Sequence, residues 1–230
     1  MSGRLTRRTW VALAILLLAI PALMAVFVCV WDERKYYLTS LLLVGLMFVP
    51  FVLRFEGRRP QARELVLLST MTALAVAGRA AFYWLPQCKP VCAIVILTAV
   101  AFTPEAGFVT GAAAGLISNF FFGQGPWTPF QMMVWGIIGF LAGVLARQLK
   151  KSRAALFLYG ALAGVLFSFL MDIWTVLWWD GKFSLSRYIA AIVSAAPVTA
   201  VYALSNVLFL SVLITPIGKK LERLVTKYGI

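Results

Sequence analysis

Asn119-Phe-Phe-Phe-Gly-Gln-Gly-Pro-Trp-Thr-Pro-Phe-Gln131 is a polar, Gly/Pro-rich turn set between two apolar runs. Gly123, Gly125 and Pro126 are costly in a helix interior, so one helix ends near Phe122 and the next starts at Trp127-Thr128-Pro129. The amides of Asn119, Gln124 and Gln131 stand there beside Phe120, Phe121, Phe122, Trp127 and Phe130. Amides among aromatic faces suit a large, partly apolar ligand with a polar rim. An aromatic belt at a membrane surface would use the same rings without any ligand.

Composition decides between a soluble and a membrane protein. The 230 residues are 62% hydrophobic and 13% charged, with a mean hydropathy of +0.92. A chain this apolar must face lipid, so it is expected to be an all-α polytopic protein of the cell membrane. The net charge of +13 lies in short clusters between apolar runs, which are topology signals and not a nucleic-acid face. There is no His, and Cys29, Cys88 and Cys92 form no CxxC pair. A helical Cys88/Cys92 pair would share a face, but two thiols make a poor metal site, so no metal or cofactor is expected.

Eight apolar runs follow from N- to C-terminus. The first, Trp10 to Val30, is too long for a usual signal-peptide core and lacks an A-x-A cleavage site, so it reads as a retained span. Leu38 to Leu53 is the second, closed by the basic, Pro-containing linker Arg54 to Arg63. Residues 1–60 thus hold two N-terminal spans, residues 61–218 a six-helix core, and residues 219–230 a basic tail. The core spans are read as Glu64 to Trp84, Val91 to Phe102, Ala106 to Phe122, Thr128 to about Arg147, Ala154 to Trp179 and Tyr188 to Ile214. The Val91 run is short for a bilayer crossing and is expected to be broken or tilted.

Small residues punctuate these runs. Ala73, Ala77 and Ala81 form a stripe that permits close helix approach, and Gly107, Gly111 and Gly115 repeat the spacing in a run whose glycines read as internal packing contacts. With the N-terminus inside, fifteen of the 21 basic residues fall on the inner side and five on the outer, with Arg79 left within a span. That bias places both termini in the cytoplasm and Gln87, Lys89, Gln124, Trp127, Trp179 and Lys182 outside.

Arg79 and Asp172 are ionisable residues inside spans. A charge near a helix centre costs roughly 2.5–3.5 kcal/mol on insertion scales, so each needs a partner or a cavity. A mutual ion pair is the simplest compensation, either as a structural tie or as the floor of an outward-facing site. Asn206 lies deeper and reads as an interhelical hydrogen bond.

Pro86-Gln-x-Lys-Pro90, Ala93-Ile-Val-Ile-Leu-Thr98, Pro104-Glu-Ala-Gly107-Phe-x-x-Gly111 and above all Asn119 to Pro129 with Gln131-Met132 carry a family resemblance. From about Arg63 to Ile214 the chain resembles the substrate-binding S component of an energy-coupling factor (ECF) vitamin transporter, most closely the branch assigned to cobalamin. The resemblance implies a six-helix core that captures a vitamin near the extracellular face and topples against a membrane-embedded coupling subunit driven by two cytoplasmic ATPases. It implies that the Ala73-x-x-x-Ala77 stripe is the docking surface for that subunit. The two N-terminal spans are additional to the family's core.

No G-x-x-x-x-G-K-[ST] is present, so ATP is expected to be bound by partner chains alone. A membrane enzyme acting on a lipid or prenyl group is the rival reading, with a thin catalytic inventory of two intramembrane charges. A self-contained secondary transporter would want matched repeats, which the halves do not display. An S component for another vitamin is the remaining alternative. The expected ligand site gathers Arg79, Gln87, Lys89, Asn119, Phe122, Gln124, Trp127, Gln131, Asp172 and Trp178. Within it Trp and Phe would meet a corrinoid's faces, Asn and Gln its amides, and Lys89 its phosphodiester.

Overall fold

A computed structural model describes residues 62–125, 127–180 and 183–228, together with positions 11 and 14. The two N-terminal spans and Lys182 lie outside the described residues. The described chain is all-helical: α1 (Ala62–Ala81), α2 (Val91–Ala101), α3 (Pro104–Phe122), α4 (Thr128–Val144), α5 (Ala146–Lys151), α6 (Arg153–Asp180) and α7 (Leu185–Leu213). A π-helical turn, Ile214–Gly218, joins α7 to α8 (Lys219–Tyr228). Among the described residues, three stretches are long and apolar enough to cross a membrane, Ala62–Ala81, Arg153–Asp180 and Leu185–Lys227, with Val91–Ala101 and Thr128–Val144 as shorter apolar helices. The protein is a multi-pass membrane protein.

Local chemistry sets the helix ends. Thr103 caps α3, its Oγ1 accepting from the Ala106 N–H at 3.2 Å, and Pro104 occupies the first turn, where its missing N–H costs nothing. Gly123 ends α3 at φ 101°, a conformation that penalises any side chain. The expected run from Thr128 to Arg147 divides instead at Leu145, because Ala146–Lys151 turns away as a separate basic helix. Pro197 does not break α7.

All eleven residues of α2 are buried. A helix apolar on every face belongs at the centre of a bundle, and at about 16 Å it is half a hydrocarbon thickness. It carries the chain from Pro90, which packs on Gly78, to Ala101 at the basic end of the molecule. Cys92 lies on this helix whereas Cys88 precedes it, so the two thiols do not share a helical face.

The closest packing is between α3 and α4. A Cβ on Gly107 would stand 2.7 Å from the Gly139 carbonyl oxygen, and one on Gly139 2.3 Å from that of Gly107. A Cβ on Gly111 would meet the Trp135 carbonyl oxygen at 2.4 Å. Those glycines therefore act as packing contacts, bringing two backbones together where dispersion is the main attraction in lipid. This pairing presents the polar end of α3 to the start of α4.

Candidate ligand-binding site

The Asn119–Gln131 turn folds into a connected hydrogen-bond network. Asn119 is 1% exposed, and its Nδ2 donates to Thr128 Oγ1 at 3.0 Å and to Gln131 Oε1 at 2.9 Å. Thr128 Oγ1 donates to Gln124 Oε1 at 2.9 Å and accepts from the Gly125 N–H at 3.3 Å, while Gln124 Nε2 donates to the Leu116 carbonyl at 3.1 Å. The Trp127 ring lies over Gly125, in space that any side chain there would fill.

Arg79, near the end of α1, enters this network from the side. Its Nη1 donates to Asn119 Oδ1 at 2.7 Å and to Ser118 Oγ, and its guanidinium carbon lies 4.9 Å from the Phe122 ring centre and 5.3 Å from that of Trp135. An intramembrane cation is thus compensated by two neutral acceptors and two aromatic faces. The expected Arg79–Asp172 ion pair does not form. Asp172 lies within electrostatic reach of Tyr188 on α7, and its buried Oδ2 has no hydrogen-bond partner among the described residues.

The neutral partners change the role of Asn119. Both of its amide protons are committed within the protein and its oxygen holds Arg79, so it positions the cation and offers no free donor to a ligand. Gln131 receives one of those protons and is itself 9% exposed, whereas Gln124 and Trp127 remain accessible.

Lys89 and Gln87 come from the turn between α1 and α2. The Lys89 backbone N–H donates to Ser205 Oγ on α7 at 3.1 Å, and Gln87 adopts a left-handed conformation at φ 54°. Burial, and then the neighbouring Arg79 cation, lower the Lys89 ammonium from the ordinary lysine value. The Lys89 ammonium thus lies within electrostatic reach of Arg79, and neither cation forms an ion pair among the described residues.

Aromatic rings extend the site in two directions. Tyr83 stacks on Phe122 at 5.2 Å, and Phe130 contacts Trp174, which in turn contacts Trp178 at 5.5 Å. Trp178 is 43% exposed. Trp135 donates its indole N–H to Tyr202 Oη at 3.1 Å, and that hydroxyl lies 3.0 Å from Cys92 Sγ. Ser118, Thr128, Trp135, Tyr202 and Ser205 were not expected at the site. Thr128 could have been read from its place in the turn, but the others meet their partners only across the fold.

Of the small residues on α1, Ala73 and Ala77 line an apolar groove of about 560 Å³ between α1 and α3, with Ala80 as their continuation. Ala81 does not line it. Steps of four residues drift about 40° each on a 3.6-residue helix, so the third member of the stripe moves back one position.

Apolar helices around a short buried centre, with a cationic and aromatic cluster at a helix junction, define a membrane-embedded helical bundle. The family model described as ECF-type riboflavin transporter, S component, matches residues 60–223, more than half of the chain, and the chain belongs to that family. It is a substrate-specific subunit of an ECF transporter and not a member of an enzyme class. No curated protein and no solved structure matches it significantly.

Proposed function

We propose that the chain captures an anion-bearing vitamin at the junction of α1, α3 and α4 and delivers it through a coupling subunit and two ATPases. The observation that carries this reading is the Arg79 guanidinium, held by Ser118 and Asn119 against the Phe122 and Trp135 rings with no ion pair among the described residues, and with the Lys89 ammonium within its electrostatic reach. Two desolvated cations repel, and an anionic group on the ligand relieves that repulsion. Cobalamin supplies such a group in its phosphodiester, together with a broad ring for Phe122, Trp127 and Trp178 and peripheral amides for the exposed Gln124.

The family description supports a second ligand, riboflavin. Its isoalloxazine would stack on the same rings, but it is uncharged near neutral pH and would not relieve the repulsion between Arg79 and Lys89. The groove at Ala73 and Ala77 is the docking face for the coupling subunit, since it is apolar, open and lined by small residues.

The full-length protein, purified in detergent from cells given both vitamins, tests the reading through the small molecule it retains. Retained cobalamin, and recovery of ATPase subunits on co-expression, are expected. Retained riboflavin would overturn the anion-bearing ligand while leaving the transporter class intact.

A further inference from the structure

The α5–α6 junction and the π-turn that follows α7 meet at a second cavity, of about 190 Å³. Lys150, Arg153 and Lys219 line it with Glu222, contributed by α5, α6 and α8. Leu97, Leu156 and Ile214 supply an apolar wall beneath. None of the three cations forms an ion pair among the described residues, and Arg153 stands at the first position of α6, on the unfavourable side of the helix macrodipole. Three cations against one carboxylate leave the cavity electropositive.

We infer that this cavity binds the phosphate group of an anionic phospholipid. The layout separates that occupant from a free anion. A cationic rim beside an apolar wall matches an amphiphile, whose phosphate meets Lys150, Arg153 and Lys219 while its glycerol carbons lie against Ile214, the partly exposed member of a wall closed by the buried Leu97 and Leu156. Glu222 then accepts from a head-group hydroxyl, as phosphatidylglycerol offers. The π-turn places Lys219 at the cavity: a π-bulge inserts an extra residue in the helical path and shifts everything after it around the axis.

The test uses the full chain in nanodiscs of phosphatidylcholine alone, or with phosphatidylglycerol added, and reads retained lipid by native mass spectrometry and thermal unfolding. Wild type should retain phosphatidylglycerol over phosphatidylcholine and unfold at higher temperature with it. In the double variant Arg153→Gln/Lys219→Gln that preference should fall by roughly 5- to 30-fold, at about fivefold per basic residue near an anionic surface. Lys220→Gln is the control: it removes one charge beside the cavity without lining it, and should keep most of the preference. Arg153→Lys/Lys219→Arg conserves charge and should restore the preference even if the neutral variant folds poorly. Inorganic phosphate added to phosphatidylcholine discs separates the two sources. Stabilisation by phosphate alone would assign the rim to a free anion and overturn the lipid. Equal retention of both lipids by wild type, or equal losses in Lys220→Gln and the double variant, would overturn the site.

Discussion

Arg79 on α1 donates to Asn119 Oδ1 on α3 at 2.7 Å, and the other end of the same amide donates to Thr128 and Gln131 on α4. One buried amide thus joins three helices around a cation. Removing it leaves donors and acceptors on each side without partners, at about 1–3 kcal/mol for each buried group. Asn119→Leu should lower the unfolding temperature of the purified protein markedly, whereas Arg79→Gln should fold, because Arg79 is tied to no carboxylate among the described residues. Equal loss of folded protein in both variants would make Arg79 a structural tie.

Lys89 gives the site a pH signature. Its folded-state value lies below the ordinary 10.5, so the ligand-free protein holds that proton less tightly than the unfolded chain does. Stability of the ligand-free protein should rise with pH between the lowered and the ordinary value. Binding of an anionic ligand works in the opposite direction. Affinity should fall as pH rises through the lowered value, earlier than for an unperturbed lysine, and Lys89→Gln should abolish that limb. Equilibrium dialysis across alkaline pH reads both effects, and an affinity independent of pH in wild type would remove Lys89 from the site.

Much of the helical order was legible because Gly, Pro and Thr mark its breaks. The turn at Phe122 to Trp127 and the start of α3 at Thr103-Pro104 follow from backbone restrictions that any context must respect. The glycine contacts between α3 and α4 were legible for the same reason. The partner of Arg79 was not. An intramembrane charge says that something must compensate it, and Asp172 offered an opposite charge well inside a span, but amides and rings met the need instead. Pairs such as Trp135 with Tyr202, 67 residues apart, depend on helix rotation, which periodicity does not fix. The basic cavity at the other end of the molecule is illegible for a related reason, since a basic cluster beside an apolar run gives the same topology signal whatever its side chains line.

Docking through the groove predicts a separation of functions. Ala77→Trp places an indole in the groove between α1 and α3 and should prevent assembly with the coupling subunit and uptake. Vitamin binding by the isolated subunit should be preserved, since Arg79 and Asn119 lie outside the groove lining. Co-purification and a binding assay on the same preparation measure both, and normal assembly would move docking elsewhere.

Lys150, Arg153 and Lys219 surround one cavity, so the basic clusters after α4 and α7 share one end of the molecule. In a variant lacking Cys29, Cys88 and Cys92, an impermeant thiol reagent applied to whole cells should label Gln124→Cys and spare Lys151→Cys and Lys219→Cys. Labelling at position 151 from outside would reverse the orientation.

Calorimetric titration of the purified, ligand-free subunit with cobalamin and with riboflavin tests the central claim most directly. The account predicts binding of cobalamin, weakened roughly 5- to 150-fold by Arg79→Gln and by Lys89→Gln, as loss of a desolvated contact worth about 1–3 kcal/mol requires. Binding of riboflavin in place of cobalamin, with an affinity that neither substitution alters, would contradict it.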